Sequence, residues 1–186
     1  MALLTLEHSK TAYQVDMGIY AVASVALAAW LIIRGPREQL LQFMALAAVG
    51  LASWTLIEYG VHRFLLHGLE PFSTWHAEHH RRPTALIYSP TILGVVVIAA
   101  LVFLPAWLLG GPWRAVAFTF GIVAGDLGYA VTHHVVHHWR AENAWIRRRK
   151  RWHALHHGSD LRLGRPPGYY GVTTSLWDYV FGSDRR

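Results

Sequence analysis

The sequence predicts an all-α integral membrane protein, with four transmembrane helices and a histidine-rich helical cap on one side. Three observations predict it. Apolar residues make up 53% of the 186 and charged residues only 15%, an apolar share above that of ordinary soluble domains. Four long runs are almost free of charge. Twelve of the thirteen histidines crowd between His62 and His157.

Each run approaches the roughly 20 apolar residues that a membrane-crossing helix needs. Residues 17–33 (MGIYAVASVALAAWLII) and 39–57 (QLLQFMALAAVGLASWTLI) carry no charge, and 83–113 is uncharged throughout. Residues 115–139 hold one acid, Asp126, and end in histidines. RGPRE joins the first two runs and GGPWR the last two, both with the Gly and Pro of tight turns. The plan is two helical hairpins with every histidine group on the same side. A soluble four-helix bundle is excluded, because the chain has too little polar surface to cover four such runs. No signal peptide is expected: the first run begins only after Glu7, Lys10 and Asp16, and no small-residue cleavage site precedes RGPRE. Residues 1–186 read as a single membrane-embedded domain.

Charge gives the orientation. Lys and Arg exceed Asp and Glu by 17 to 11, and ten of the basic residues lie in 140–186, including the run Arg147, Arg148, Arg149, Lys150, Arg151. Beside long apolar spans such a run points to anionic lipid and the cytoplasm, and nucleic acid is not expected as a partner. The hairpin loops hold only Arg34, Arg37 and Arg114, so the histidine side and both termini are placed in the cytoplasm. Nine Trp and eight Tyr suit membrane interfaces. Trp75, Tyr88, Trp139, Trp152, Tyr169 and Tyr170 are read as interfacial anchors, with the lining of a lipid entry as a second role. The absence of Cys excludes disulfides and thiolate-bound metal.

The histidines fall in four groups: His62 with His67; His76, His79 and His80; His133, His134, His137 and His138; and His153, His156 and His157. Positions i, i+3 and i+4 share a helix face, so the second and fourth groups each converge. In the third group either His133 and His137 or His134 and His138 face the site. His62 and His67, five apart, can both serve only if the helix ends or distorts between them, and Gly68 and Pro71 suggest an end. Neutral imidazole is a common transition-metal ligand. Eight to ten convergent histidines are too many for one ion and suit two, which defines a dinuclear site fitting iron, with zinc or manganese as other occupants. Haem needs only two axial ligands and leaves most of the histidines unexplained. Ligand histidines usually donate their other ring nitrogen to an acceptor; Glu58, Glu78, Asp126 and Asp160 are the candidates.

The order HxxxxH, HxxHH, HxxxH, HxxHH in a four-helix membrane protein resembles the fatty acid hydroxylase and sterol desaturase superfamily. YGVHRFLLH looks like its first box, RRRKRWHALHH like its last, and the tail YGVTTSLWDYVFGS is similar to its closing segment. The resemblance runs from Glu58 to the C-terminus. It implies as ligands His62, His67, His76, His79, His80, His133, His137, His153, His156 and His157. It also aligns Tyr129 with a Tyr before the third box, while Ala130 stands where the family has Asp. The resemblance further implies two iron ions, O2 as co-substrate, and hydroxylation or desaturation of a lipid, a fatty acyl or sphingolipid-type chain being the leading substrate. The chain has no room for a fused haem domain, so a separate ferredoxin- or cytochrome-type electron donor is expected. The short link Gly68–Trp75 resembles bacterial beta-carotene hydroxylases, which makes carotenoid ring hydroxylation the alternative. A non-oxidative zinc protein, such as a lipid hydrolase with Glu78 as base, is the reading from another class.

Overall fold

The computed structural model describes residues 7–87, 91–140, 143–158 and 168–184. Among them the only β-pairing is a single bridge between Glu7 and Ile87; the rest is helix and turn. Helix α1, Lys10–Arg34, starts where Ser9 caps the amide of Ala12 at 3.1 Å. After a 3-10 turn at Arg37–Gln39 come α2, Leu40–Gly60, and a π-helical turn, Val61–Leu66. Helix α3 is Phe72–Arg81. The third span is built from α4, Thr91–Ile98, a π-helical turn at Ala99–Phe103, and α5, Leu104–Gly110. Then follow α6, Pro112–His138, α7, Ala144–His157, and the short α8, Leu176–Val180.

Among the described residues four stretches are long and apolar enough to cross a membrane: Lys10–Arg34, Arg37–Leu66, Thr91–Gly110 and Pro112–His138. Each covers most of one run of the sequence, but the first starts earlier, at Lys10, the second continues to Leu66, and the third starts later, at Thr91. The uncharged stretch from residue 83 does not begin as helix, because the amide of His8 donates to Leu86 O at 2.9 Å and holds residues 86–87 extended.

The chain divides into two compact units. One comprises the described residues up to Trp54 with Leu86–Leu127; the other comprises Thr55–Ala85 with the described residues from Gly128 onward. In the first unit Leu31, Phe43, Val116 and Ala117 form a core, with Leu27, Leu46, Phe103, Trp113 and Phe120 against it. Helices α2 and α6 approach backbone to backbone. A Cβ on Gly121 would sit 2.1 Å from Ala47 O, and one on Gly50 2.3 Å from Phe118 O. Small residues at such crossings are how helices pack tightly where lipid removes the hydrophobic drive between them. Apolar side chains also face outward: Leu109 is 90% exposed and Leu108 77%. Exposed apolar side chains of this kind are compatible with a membrane setting. The second unit holds every residue of the site described next.

Candidate metal centre

Four helical segments deliver the histidines. The π turn Val61–Leu66 answers the spacing problem of the first pair. In π winding the backbone bonds run i to i+5, so residues five apart stack instead of diverging. The rings of His62 and His67 stand 5.4 Å apart, and the helix then stops. On α3, His76 and His80 bring their Nε2 atoms to 3.1 Å. At the end of α6 the rings of His133 and His137 lie 4.7 Å apart. Helix α7 carries His153, His156 and His157.

The side chains gather into two clusters. His62, His67, His76, His80 and His156 form one, and His79, His133, His137 and His153 the other; within each, the ligand nitrogens all lie within 4.8 Å of one another. His157 bridges them, its Nε2 3.0 Å from His153 Nε2 and its ring stacked 4.2 Å from that of His80. His134 and His138 stack on each other at 4.5 Å, outside both clusters. Spacing alone left this pair open.

The donor set fits metal ions. The Nδ1–H of His62 donates to Tyr170 O at 2.5 Å and that of His156 to Gly168 O at 2.7 Å. A carbonyl only accepts, so both rings are fixed with a bare lone pair at Nε2. Those lone pairs meet others: His62 Nε2 is 3.0 Å from His76 Nε2, and His156 Nε2 is 3.0 Å from His80 Nε2 and 3.2 Å from His67 Nε2. In the second cluster His137 and His153 oppose Nε2 atoms at 2.7 Å. Buried ring nitrogens of His79 and His133 have no hydrogen-bond partner. Lone pairs converging in a buried space, with too few protons to join them, form the electrostatic complement of a cation. Burial also keeps these side chains in the neutral, ligating form. It pushes His67 and His157 down to about 4 and His79 to about 3. His76, His153 and His156 lie well below the ordinary histidine range, from burial first and neighbouring histidines second.

Behind His62 and His156 the acceptors are backbone carbonyls and not carboxylates. Glu58 is buried, but it accepts from the amides of Val172 and Thr173 at 2.7 and 2.9 Å and from the Thr173 hydroxyl. Glu78 is engaged by Arg81 and by Arg82 Nε at 2.6 Å instead of by a histidine. Asp126 lies on α6 in the other compact unit. Tyr129 stacks its ring on His133, centroids 5.6 Å apart. Asp160 and the interfacial candidate Tyr88 lie outside the described residues. The acceptors for His62 and His156 are backbone carbonyls of the tail, which a sequence does not announce. Asp178, wholly buried, holds that tail by accepting from the amides of Tyr170 and Gly171 at 2.8 Å each. Its signals in the sequence are an acid inside the apolar segment LWDYVF and the likeness of that tail to the family's closing segment. Tyr170, read from sequence as an interfacial anchor, instead packs its ring 5.4 to 5.8 Å from those of His67, His156 and His62.

The fold and site together define an all-helical protein with membrane-length apolar helices and histidine clusters that could hold metal ions. Comparison with known proteins narrows this. The fatty acid hydroxylase family model matches residues 46–183, and the chain belongs to that family. It is 34% identical over 157 residues to the dihydroceramide fatty acyl 2-hydroxylase FAH2 of Arabidopsis thaliana, covering 76% of this chain and 61% of that protein. To the ceramide very long chain fatty acid hydroxylase scs7 of Schizosaccharomyces pombe it is 32% identical, over 73% of this chain and 41% of the relative. The chain thus spans 61% and 41% of the lengths of these two relatives. A solved structure of full-length scs7p, with only the hydroxylase domain visible, superposes with a TM-score of 0.77 at 27% identity, covering 96% of this chain and 67% of that one.

Proposed function

We propose that this protein is a membrane diiron monooxygenase that hydroxylates a C–H bond in the acyl chain of a ceramide-type lipid, using O2 and electrons from a ferredoxin- or cytochrome-type donor. The observation that carries the reading is the pairing of a five-histidine with a four-histidine cluster. The names of the relatives support an acyl substrate over a carotenoid ring. His62, His67, His76, His80 and His156 would hold one iron, His79, His133, His137 and His153 the other, with His157 beside both. Bound iron supplies an oxidant for an unactivated C–H bond, which no side chain provides.

The protein's share is to bind, orient and exclude water. The carbonyls of Gly168 and Tyr170 fix which nitrogen of His156 and His62 stays bare. The Tyr170 ring, packed on the five-histidine cluster, shields it from water. The outward apolar surface of the spans lets a lipid reach the protein from within the bilayer. Exposed Arg140, Arg147, Arg148 and Arg151 support a cytoplasmic histidine side. The zinc hydrolase reading is weakened because Glu78, its base, is tied up by Arg81 and Arg82.

The test is expression in a host that makes acyl lipids and carotenoids, with lipid mass spectra compared against His156→Ala. One added oxygen on an acyl chain is the expected result. An oxygen gained only on the carotenoid moves the activity to ring hydroxylation. Lipid cleavage without oxygen uptake replaces the oxidative reading.

A further inference from the structure

The two histidine clusters differ in what stands behind them. Both carbonyl-tied histidines, His62 and His156, belong to the five-histidine cluster. The two carbonyls flank Tyr169, whose φ of 58° lies in the left-handed region, where a residue with a side chain is strained unless its surroundings hold it. They do hold it. Tyr169 N donates to Ser183 O at 3.1 Å. The next four amides are taken in pairs by two buried carboxylates: Tyr170 and Gly171 by Asp178, Val172 and Thr173 by Glu58. Asp178 also accepts from Ser183 Oγ at 2.7 Å. The turn is too tight for a side chain at Gly171, where a Cβ would meet Thr174 O at 1.9 Å.

Among the described residues the four-histidine cluster has no such tie to a tail carbonyl. Both ring nitrogens of His79, Nε2 of His133 and Nδ1 of His153 are buried with no hydrogen-bond partner. Its members come from α3, α6 and α7, and among the described residues none is tied to the tail.

We propose that the strap Gly168–Thr173, clamped by Asp178 and Glu58, preorganises only the five-histidine site, so the protein holds one metal tightly and the other loosely. The inference rests on the two-metal reading above. Outer hydrogen bonds fix a ligand ring and raise its basicity, and losing one typically costs about 10–100-fold in metal affinity. Asp178 and Glu58 are therefore positioning residues. They act on the metal through the backbone carbonyls of Tyr170 and Gly168.

The experiment loads the detergent-solubilised full chain with zinc and follows its release to excess chelator with a chromogenic indicator. Wild type should release two zinc ions per chain in two phases of equal amplitude. His133→Ala should lose the fast phase, which assigns it to the four-histidine cluster. Asp178→Asn leaves one of two buried amides without an acceptor. It should speed the slow phase by about 10–100-fold and leave the fast phase alone, which a general loosening of the fold would not do. Should Asp178→Asn fail to fold, Glu58→Gln carries the same expectation with a smaller acceleration. A single release phase overturns the inference, as does a variant that speeds both phases or only the fast one; the two-metal reading then stands. A wild-type protein that cannot retain two ions overturns that reading itself.

Discussion

His79 and His80 are consecutive residues of α3, yet their imidazoles enter different clusters. Neighbours on an α-helix point about 100° apart. His80 turns with His76 toward His62, His67 and His156, and His79 turns toward His133, His137 and His153. His153 and His156 divide α7 between the same two clusters. A lone ion does not explain two helices that each serve both sides. His79→Ala should therefore lower metal content by about one ion per chain, from the four-histidine cluster. His80→Ala should lower it by about one from the other, and both should be inactive. Metal analysis of the purified variants decides it; loss of both ions from either single variant argues for one coupled site.

The π turn makes His62 and His67 agree in direction although they are five apart. If phase is its whole purpose, deleting the exposed Phe64 should be tolerated, because the two histidines become four apart and share the face of an ordinary helix. Inserting one alanine after Phe64 should remove His67 from its cluster and abolish activity. Metal content and helicity by circular dichroism, measured on both variants, test the pair. A deletion that also loses metal means the π backbone matters for more than direction.

How far the site was legible follows from these cases. Helical spacing alone brings His76, His79 and His80 to one region, because i, i+3 and i+4 is a local rule. It did not separate His79 from His80 into two clusters, which depends on helices distant in sequence. It showed that the first pair needed a distortion and suggested a helix end; the chain supplies a π turn and then the end. The four spans were legible because length and lack of charge suffice for them. The start of the third was not, since residues 86–87 pair with the N-terminal segment. The tail's role was hidden because backbone carbonyls look alike at every residue. Glu58 was noticed as a partner for histidine, but its amides lie more than a hundred positions along the chain, where spacing rules say nothing.

The crossing of α2 and α6 should be the least tolerant part of the membrane-span unit. Gly121→Ala puts a methyl group 2.1 Å from Ala47 O and 2.7 Å from Leu51 N, both backbone atoms that cannot step aside. Overpacking of this kind costs about 1–3 kcal/mol. Gly18, on α1, has nothing within 4 Å of its missing Cβ. Gly18→Ala should be neutral or stabilising by about 0.5–1 kcal/mol. Unfolding midpoints in detergent should separate the two; equal midpoints would mean that the helices slide apart at no cost.

Metal-free protein should lose stability as pH falls. Burial holds His67 and His157 near 4 and His79 near 3 in the folded chain, while unfolded histidine titrates near about 6.5. Between these values the unfolded chain binds more protons, so falling pH favours unfolding. The stability should be full above about pH 6.5 and decline toward pH 4. Melting of chelator-treated protein from pH 7.5 to 4.5 measures this, and a flat profile would contradict the buried, neutral state of these side chains.

The basic run of α7 divides by burial, and the division makes its role testable. Arg148 and Arg151 are exposed, whereas Arg149 is buried with its guanidinium 5.9 Å above the Trp152 ring and 3.4 Å from Ser175 Oγ. Arg149 thus belongs to the fold, and only the outer residues can meet a partner. If they dock an acidic electron carrier, Arg148→Gln with Arg151→Gln should slow carrier-dependent turnover by roughly tenfold at low salt. The deficit should shrink as salt shortens the screening length to about 10 Å at 0.1 M. Metal content should not change, because neither side chain is a ligand. Turnover with a small chemical reductant should match wild type, since no docking is needed. If the run binds lipid headgroups instead, the deficit will follow the anionic lipid content of the membrane and persist with the chemical reductant.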